Sequence, residues 1–575
     1  MPPHLIRDKI LHSDNLKRKT HQDEKELSID IDGVTTTDSS KIAAAFRDMF
    51  INKIEKLSAP AYPEVLEEVV PQANRIWELK ACTTEDTNKV IDHIKSSMAC
   101  GPDGIPSRLI KELKHEVVLP LTILVNRCLE EGYFPECLKI GKVRPVFKRG
   151  ARNKLKNYRP ITITSVIGKI IECIVNEQLT CATDHLLPST MFGFRKNTGT
   201  DEALTRLMDD IKERRAKGEF AAIISCDASA AFDILNRDLV IAMLKRLGAG
   251  TSVTTFISNF MDNAKQFVVI NEEKSEEWCF DVGTGQGHVL SPPLYNIGTI
   301  SQYYWTKLST LYGYADDGSD VISAPTINEC NQKIQEVFAA RKKWYDLSGM
   351  ALNIEKTMVM GFGFRPNTLD IHDTKIEPVT SLKFLGMEIQ DNFNLDNHVK
   401  QVSTKIRQAA ANIRTDGRHL CISDKRRLYM GWIQGTICSN GTAYLPLLTQ
   451  GQAESLQTSA NAGIRSVANL PRRSSHISIS SIRKKLNILS IAEITEKLIL
   501  THAWKTREKI APQNQSGPTT RSRSQGNVPQ PNQQGIRSKM ISTFATCAFN
   551  RLPLEVKIEK DSKKAKRLIK NMFSR

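Results

Sequence analysis

No two of the twelve cysteines stand close enough to form a Cys-x-x-Cys pair. That excludes zinc knuckles and ribbons, which need ligands paired at short spacing. Residues scattered singly from Cys82 to Cys547 read as reduced structural thiols of an intracellular protein. No run of about twenty apolar residues is present, so no helix is expected to span a bilayer. The start, Met1-Pro2-Pro3-His4, has no apolar core behind a basic cluster and is not a secretory signal. Acid is missing as well from Lys139 to Arg159, a stretch that holds nine cations.

What is present is a chain of 575 residues, too long for one core, so several subdomains are expected. Hydrophobic residues make up 40% and charged residues 25%, as in globular proteins. The net charge of +17 favours a polyanionic partner, with nucleic acid ahead of a membrane surface. The acid-free segment, interleaved with Phe147 and Tyr158, leans towards phosphate contact, although a basic segment is more often a solvated face. The last forty residues, from Ile536, add eleven cations against three acids, a basic helical tail of net +8.

Local patterns place the elements. The spacing of Ile42, Phe46, Met49, Phe50 and Ile54 predicts a helix over Ser40–Lys56. Thr83 or Thr84 caps a helix expected to reach about Ser97. Cys100 to Pro106 is turn chemistry, with a helix after it near Ser107–Leu113. An amphipathic helix through Leu204, Leu207 and Ile211 ends near Gly218. Phe220–Cys226 is a continuous apolar run, the pattern of a buried strand, and it leads straight into Asp227. Asn236 caps the next helix. Phe267–Asn271 and Cys279–Val282 read as paired strands. Helices alternate with antiparallel strands, so the centre is α+β. Beyond Lys400 the chain is mostly helical to about Lys509, and residues 511–535, rich in Pro, Gln, Ser and Gly, read as a disordered linker.

The chemistry concentrates in two places. Tyr314-Ala315-Asp316-Asp317 sits between two β-prone stretches and reads as a hairpin with adjacent carboxylates at its tip. Such a pair offers hard oxygen ligands to a divalent ion, although acidic turns are usually solvated. Asp227 ends a buried strand, where a carboxylate is costly unless it is paired, capped or bound to metal. Between them lies Gly283-Thr284-Gly285-Gln286-Gly287, a turn whose glycines let backbone approach a ligand closely.

In this order the motifs resemble those of the reverse transcriptases of non-LTR (LINE-like) retrotransposons, over roughly residues 96–400. Gly101–Pro106 resembles the family's opening motif. Val143–Gly150 and Asn157–Ile161 resemble its two fingers motifs, and Phe192–Lys196 the segment before the palm. Asp227–Asp233 is similar to the first catalytic motif, the Gly283–Leu294 loop to the template-side motif, and Tyr314–Asp317 to the second catalytic motif. Leu352–Thr357 and Leu382–Gly386 are similar to the last two.

The resemblance implies a right-hand polymerase: an N-terminal extension over 1–95, fingers over 96–200, palm over 201–389, helical thumb over 390–510, linker over 511–535 and basic tail over 536–575. It implies that Asp227, Asp316 and Asp317 hold two Mg²⁺ ions (Mn²⁺ the alternative), with the carbonyl of Ala228 assisting. Lys148 and Arg159 would clamp the triphosphate of a deoxynucleoside triphosphate. Phe232 would obstruct a ribose 2′-hydroxyl, and Gln286 would lie against template or incoming base, with Gly287 beside it. Lys356 would donate a proton to pyrophosphate. Phe384, Leu385 and Gly386 would grip the primer. Plainer readings stand beside these: Phe232 as core, Arg159 in a surface ion pair, Lys356 solvated.

The implied activity is RNA-directed DNA polymerisation, with RNA template and DNA primer or target as partners, no membrane, and a nuclear location with a cytoplasmic ribonucleoprotein stage. The alternative is a catalytically decayed, polymerase-derived RNA-binding protein. Several positions depart from the family pattern. Gly285 stands where proline is usual, His288 where a small hydroxylic residue is usual, Pro293 where leucine is usual, and Met191 where glutamine is frequent. Gly318-Ser319-Asp320 replaces a clean apolar strand. No endonuclease pattern, RNase H or cysteine-rich finger is recognisable. DNA nicking is therefore expected from elsewhere, and the chain reads as a piece of a longer polyprotein.

Overall fold

The structure is a computed structural model that describes residues 27–371, 374–471, 477–510, 527–528 and 535–573. The chain falls into two discontinuous units. One comprises residues up to Leu186, Ser229–Ser301 and Tyr345–Ala351; the other comprises Leu187–Ala228, Gln302–Trp344 and Leu352 onward.

The first unit is organised around a mixed sheet. Strands Gly141–Phe147 and Tyr158–Ile163 form an antiparallel hairpin, and the first of them runs parallel to Lys265–Ile270. The acid-free basic segment is thus a β-hairpin, and alternation sorts its side chains. Arg144, Lys148 and Arg159 stand exposed. Tyr158 is buried and meets Phe46 edge-on at 5.1 Å. The interleaved aromatics therefore serve the core. Phe46 lies on the helix Ser39–Leu57, which Asp38 caps by accepting from the amides of Ser40 and Lys41. Not every cation of the segment is available. Lys139 is buried against Glu136 at 2.6 Å, and Lys154 is paired with Asp30 at 2.6 Å.

Two expected elements are shorter than their patterns. The helix capped by Thr83 ends at His93, because Ile94 turns extended and the chain folds back so that Ser107 Oγ accepts from the amide of Ser97 at 3.0 Å. The strand expected over Cys279–Val282 is only Trp278–Cys279, joined to Lys265–Ile270 through Lys265–Cys279 and Gln266–Trp278. Residues 280–282 leave the sheet to enter the glycine-rich loop.

In the second unit the apolar run becomes the central strand Phe220–Ser229. Asp317–Ala324 and Met358–Phe362 flank it, both antiparallel, and Thr310–Tyr314 pairs beyond Asp317–Ala324. Helix Thr200–Ala216 packs on this sheet through Leu204, Leu207, Met208 and Ile211. The polar sequence Gly318-Ser319-Asp320 remains strand. Buried Asp320 is satisfied there by Arg341, whose Nε and Nη2 each donate to it at 2.7 Å. Further on, helices Asp396–Thr415 and Gln450–Val467 extend the same core.

Helix Ile491–Lys505 divides its apolar residues. Ile491 and Ile494 join that core, while Ile499, Leu500, Ala503 and Trp504 pack with the C-terminal helices Ile541–Arg551 and Ser562–Asn571. Most of the proposed linker lies outside the described residues. Within it, Val528 is buried in this second core, and its amide donates to Asn550 Oδ1 at 2.9 Å.

Candidate active site

The apolar run Phe220–Cys226 demands burial on both faces, so it becomes a central strand, and Asp227 follows it within that strand, which ends at Ser229. The neighbouring strand begins at Asp317, and the register sets Asp317 directly opposite Asp227. Asp316 and Ala315 form the turn that precedes it, with Ala315 left-handed at φ 57°. A non-glycine residue there costs on the order of 1 kcal/mol, so the surroundings must hold it. Phe192 does part of this, its amide donating to the carbonyl of Gly313 at 2.8 Å. Gly193 does more: a Cβ on it would collide with the amide nitrogen of Ala315. Met191, the departure from glutamine, is buried and bridges to Gly313 as well.

Lys356 comes to the same place. The amide of Asn353 donates to the carbonyl of Asp227 at 2.8 Å, and the turn Ile354–Lys356 then brings Lys356 Nζ into an ion pair with Asp227 Oδ2. The Lys356 side chain is still about half exposed, so it is paired and solvated at once. Asp317 is pushed up to about 6, by burial first, then by the charges of Asp316 and Asp227, with Lys356 pulling the other way. Asp317 is exposed as a residue, so the crowding of like charge is the part of this shift that bears on function. Three hard-oxygen donors that repel one another suit divalent cations. As the side chains stand, however, no group of three Asp, Glu, His or Cys among the described residues is arranged to hold an ion. Asp227 is turned to Lys356 instead. The donor set fits a metal in its chemistry; its geometry is that of a carboxylate held by a lysine.

Ala228, one residue on, is buried in the strand. Phe384 is also buried, in the core, while Leu385 and Gly386 form a tight turn with φ of 47° and 85° between strands Ser381–Phe384 and Met387–Gln390. Asn440 Nδ2 donates to the carbonyl of Leu385 at 2.8 Å. The turn's backbone and Leu385 reach the surface, and the ring of Phe384 does not.

The remaining expected residues belong to the first unit. Lys148 and Arg159 share the exposed face of the basic hairpin. Phe232 is part-buried and stacks on Tyr295, with ring centres 4.6 Å apart. Gln286 Nε2 donates to both carboxylate oxygens of Asp233, at 3.1 and 3.0 Å. Gly287 is pressed on the backbone of Thr162, where a Cβ would collide with the carbonyl oxygen.

Two anchors of this loop escaped the sequence reading. One is Asp233, quoted in the motif but given no role. The other is Glu172, fully buried on the helix Val166–Thr183, which accepts from the amides of Val289 at 2.5 Å and Leu290 at 3.2 Å and lies 3.2 Å from His288 Nδ1. The unusual His288 thus has a carboxylate partner. The carboxylate also receives amides that open the helix Ser291–Gly298.

Residues 146–389 match the family described as reverse transcriptase (RNA-dependent DNA polymerase). The chain's relatives include polymerases of mobile elements and transposons. The RNA-directed DNA polymerase from mobile element jockey of Drosophila melanogaster is 24% identical over 64% of this chain and 42% of its own length. The probable RNA-directed DNA polymerase from transposon BS of the same species is 21% identical over 75% of this chain and 49% of its own. The chain therefore spans less than half the length of either relative. Among solved structures, the RNA-dependent RNA polymerase of a human picorbirnavirus is 12% identical, with a TM-score of 0.43, covering 75% of this chain and 77% of that one. The α+β assignment rests on the strand order above, not on this likeness.

Proposed function

We propose that this chain is the RNA-directed DNA polymerase of a non-LTR retrotransposon, adding deoxynucleotides to a DNA primer along an RNA template. One observation carries the reading: Asp227 and Asp317 face each other in register, with Asp316 in the adjoining turn. Asp227, Asp316 and Asp317 would hold two Mg²⁺ ions (or Mn²⁺), which supply Lewis-acid activation of the primer hydroxyl and neutralise the leaving pyrophosphate. For this, Lys356 must release Asp227, which frees its ammonium to protonate the leaving group. Lys148 and Arg159 bind the triphosphate from the hairpin, and Phe232 excludes a 2′-hydroxyl. The fingers, palm and thumb would follow the boundaries at residues 96, 201 and 390.

Primer extension on primed homopolymer RNA with Mg²⁺ tests the reading. Wild type should extend. Asp227→Asn and Asp317→Asn should each lower the rate on the order of a thousandfold or more, with RNA binding spared, because the amide keeps the shape and loses the charge. Equal rates in all three would sink the two-metal reading. RNA binding without extension by any of them would favour the decayed, RNA-binding alternative.

A further inference from the structure

The contacts of Gln286 assign it a different task from reading a base. Its amide Nε2 is spent on both oxygens of Asp233, at 3.1 and 3.0 Å. Its carbonyl accepts from the amide of Thr162 at 2.8 Å. The residue is therefore held at both its side chain and its backbone. The same two segments are laced together again nearby. The amide of Gly283 donates to the carbonyl of Leu235 at 2.8 Å, and that of Thr284 to the carbonyl of Phe232 at 3.0 Å. Gly283 lies so close to Asp233 that a Cβ would strike its carbonyl oxygen.

The surroundings favour a structural task over a ligand site. The cavity beside the pair, bounded by Phe50, Lys53, Trp278 and Asp233, has a volume of about 30 Å³, room for a few waters. Burial raises the Asp233 carboxyl to about 6, opposed by the charge of Lys53 on the helix Ser39–Leu57 and by the hydrogen bond from Gln286. An enclosed carboxylate is costly unless it is hydrogen-bonded, and Gln286 is the donor supplied.

We propose that Asp233 is a positioning residue: its carboxylate ties the Gln286 side chain inward, so that the Gln286 amide fixes the shape of the loop and is withheld from bound template and nucleotide. This rests on the polymerase reading above. Gly285, in place of the family's proline, fits that arrangement, since its φ of 70° is closed to proline.

The test reverses the polarity of the tie in the full chain. Gln286→Glu sets two carboxylates face to face. Asp233→Asn added to it supplies an amide donor to the new carboxylate and restores the bond in the opposite sense. Two readouts are taken: kcat and KM for a deoxynucleoside triphosphate on primed RNA, and deuterium exchange of the backbone amides from Gly283 to Gly287. Gln286→Glu should lower kcat by about tenfold to a hundredfold and speed exchange. The double variant should recover kcat to within about threefold of wild type and restore slow exchange.

The proposal is overturned if the double variant is no better than Gln286→Glu, since Gln286 would then touch the ligand itself. Recovery of slow exchange without recovery of kcat overturns it too. If wild type does not extend primers at all, exchange still decides whether the tie holds the loop, and the polymerase reading fails separately.

Discussion

At the residue scale the site is governed by charge that the fold concentrates. Asp317 stands at about 6 against the ordinary 3.8. A carboxyl raised on folding binds its proton more tightly folded than unfolded. Its stabilising contribution is therefore full below about pH 4 and lost as pH rises through about 6. Above that, the metal-free protein carries a destabilising charge. Asp317→Asn should accordingly melt higher than wild type at about pH 7.5 without divalent ions, by on the order of 1 kcal/mol once the screening of an exposed residue is allowed for. The difference should vanish near pH 4, and thermal unfolding at the two pH values checks both. Phe232 offers a second residue-level test. Its stack on Tyr295 fixes the ring's orientation. Phe232→Ala should cut discrimination against ribonucleotides by about tenfold or more, roughly 1.4 kcal/mol. An unchanged incorporation ratio would leave Phe232 as a packing partner of Tyr295 only.

At the element scale, the strand that leads into Asp227 and the hairpin that carries Asp316 and Asp317 were legible because they rest on local signals: an apolar run ending in acid, and carboxylates between two β-prone stretches. The loop anchors were not. Asp233 and Gln286 are 53 residues apart, and Glu172 lies 117 before Val289, so no periodicity or spacing marks them. The same holds for Asp320, which looked like a flaw in a strand. Its partner Arg341 sits on a helix, Ile327–Ser348, whose pattern gives no hint that an arginine is buried. Both side chains are about 1% exposed, and Ser309 adds a hydrogen bond to Asp320 at 2.6 Å. Removing one partner of such a pair strands a charge, so Arg341→Met should destabilise by about 3–5 kcal/mol. Asp320→Leu added to it should recover much of that loss. Denaturant unfolding of the single and double variants checks the pair, and equal losses in both would assign Arg341 to packing alone.

At the scale of the whole molecule, the net charge of +17 is spread over surfaces that the fold has sorted. In the tail, Ala565 and Ile569 point into a core shared with Trp504, while Lys563, Lys566 and Arg567 remain exposed. Deleting the tail would uncover Ile499, Leu500 and Trp504, and would confuse lost charge with lost packing. The cleaner test keeps the helix and neutralises its exposed face with Lys563→Gln, Lys566→Gln and Arg567→Gln. Lys564 is left in its 2.8 Å pair with Glu559. If these cations meet phosphate, each releases counterions on binding, and log affinity for single-stranded RNA falls linearly with log salt by about 0.7 per contact. The triple variant should therefore bind with a slope shallower by about 2, and its affinity should approach that of wild type at high salt. Its melting temperature should stay near that of wild type, because none of the three side chains enters the core. An unchanged slope would mean that the tail's charge faces solvent and that RNA is held elsewhere. The exposed row of Arg144, Lys148 and Arg159 on the basic hairpin would then be the next surface to neutralise.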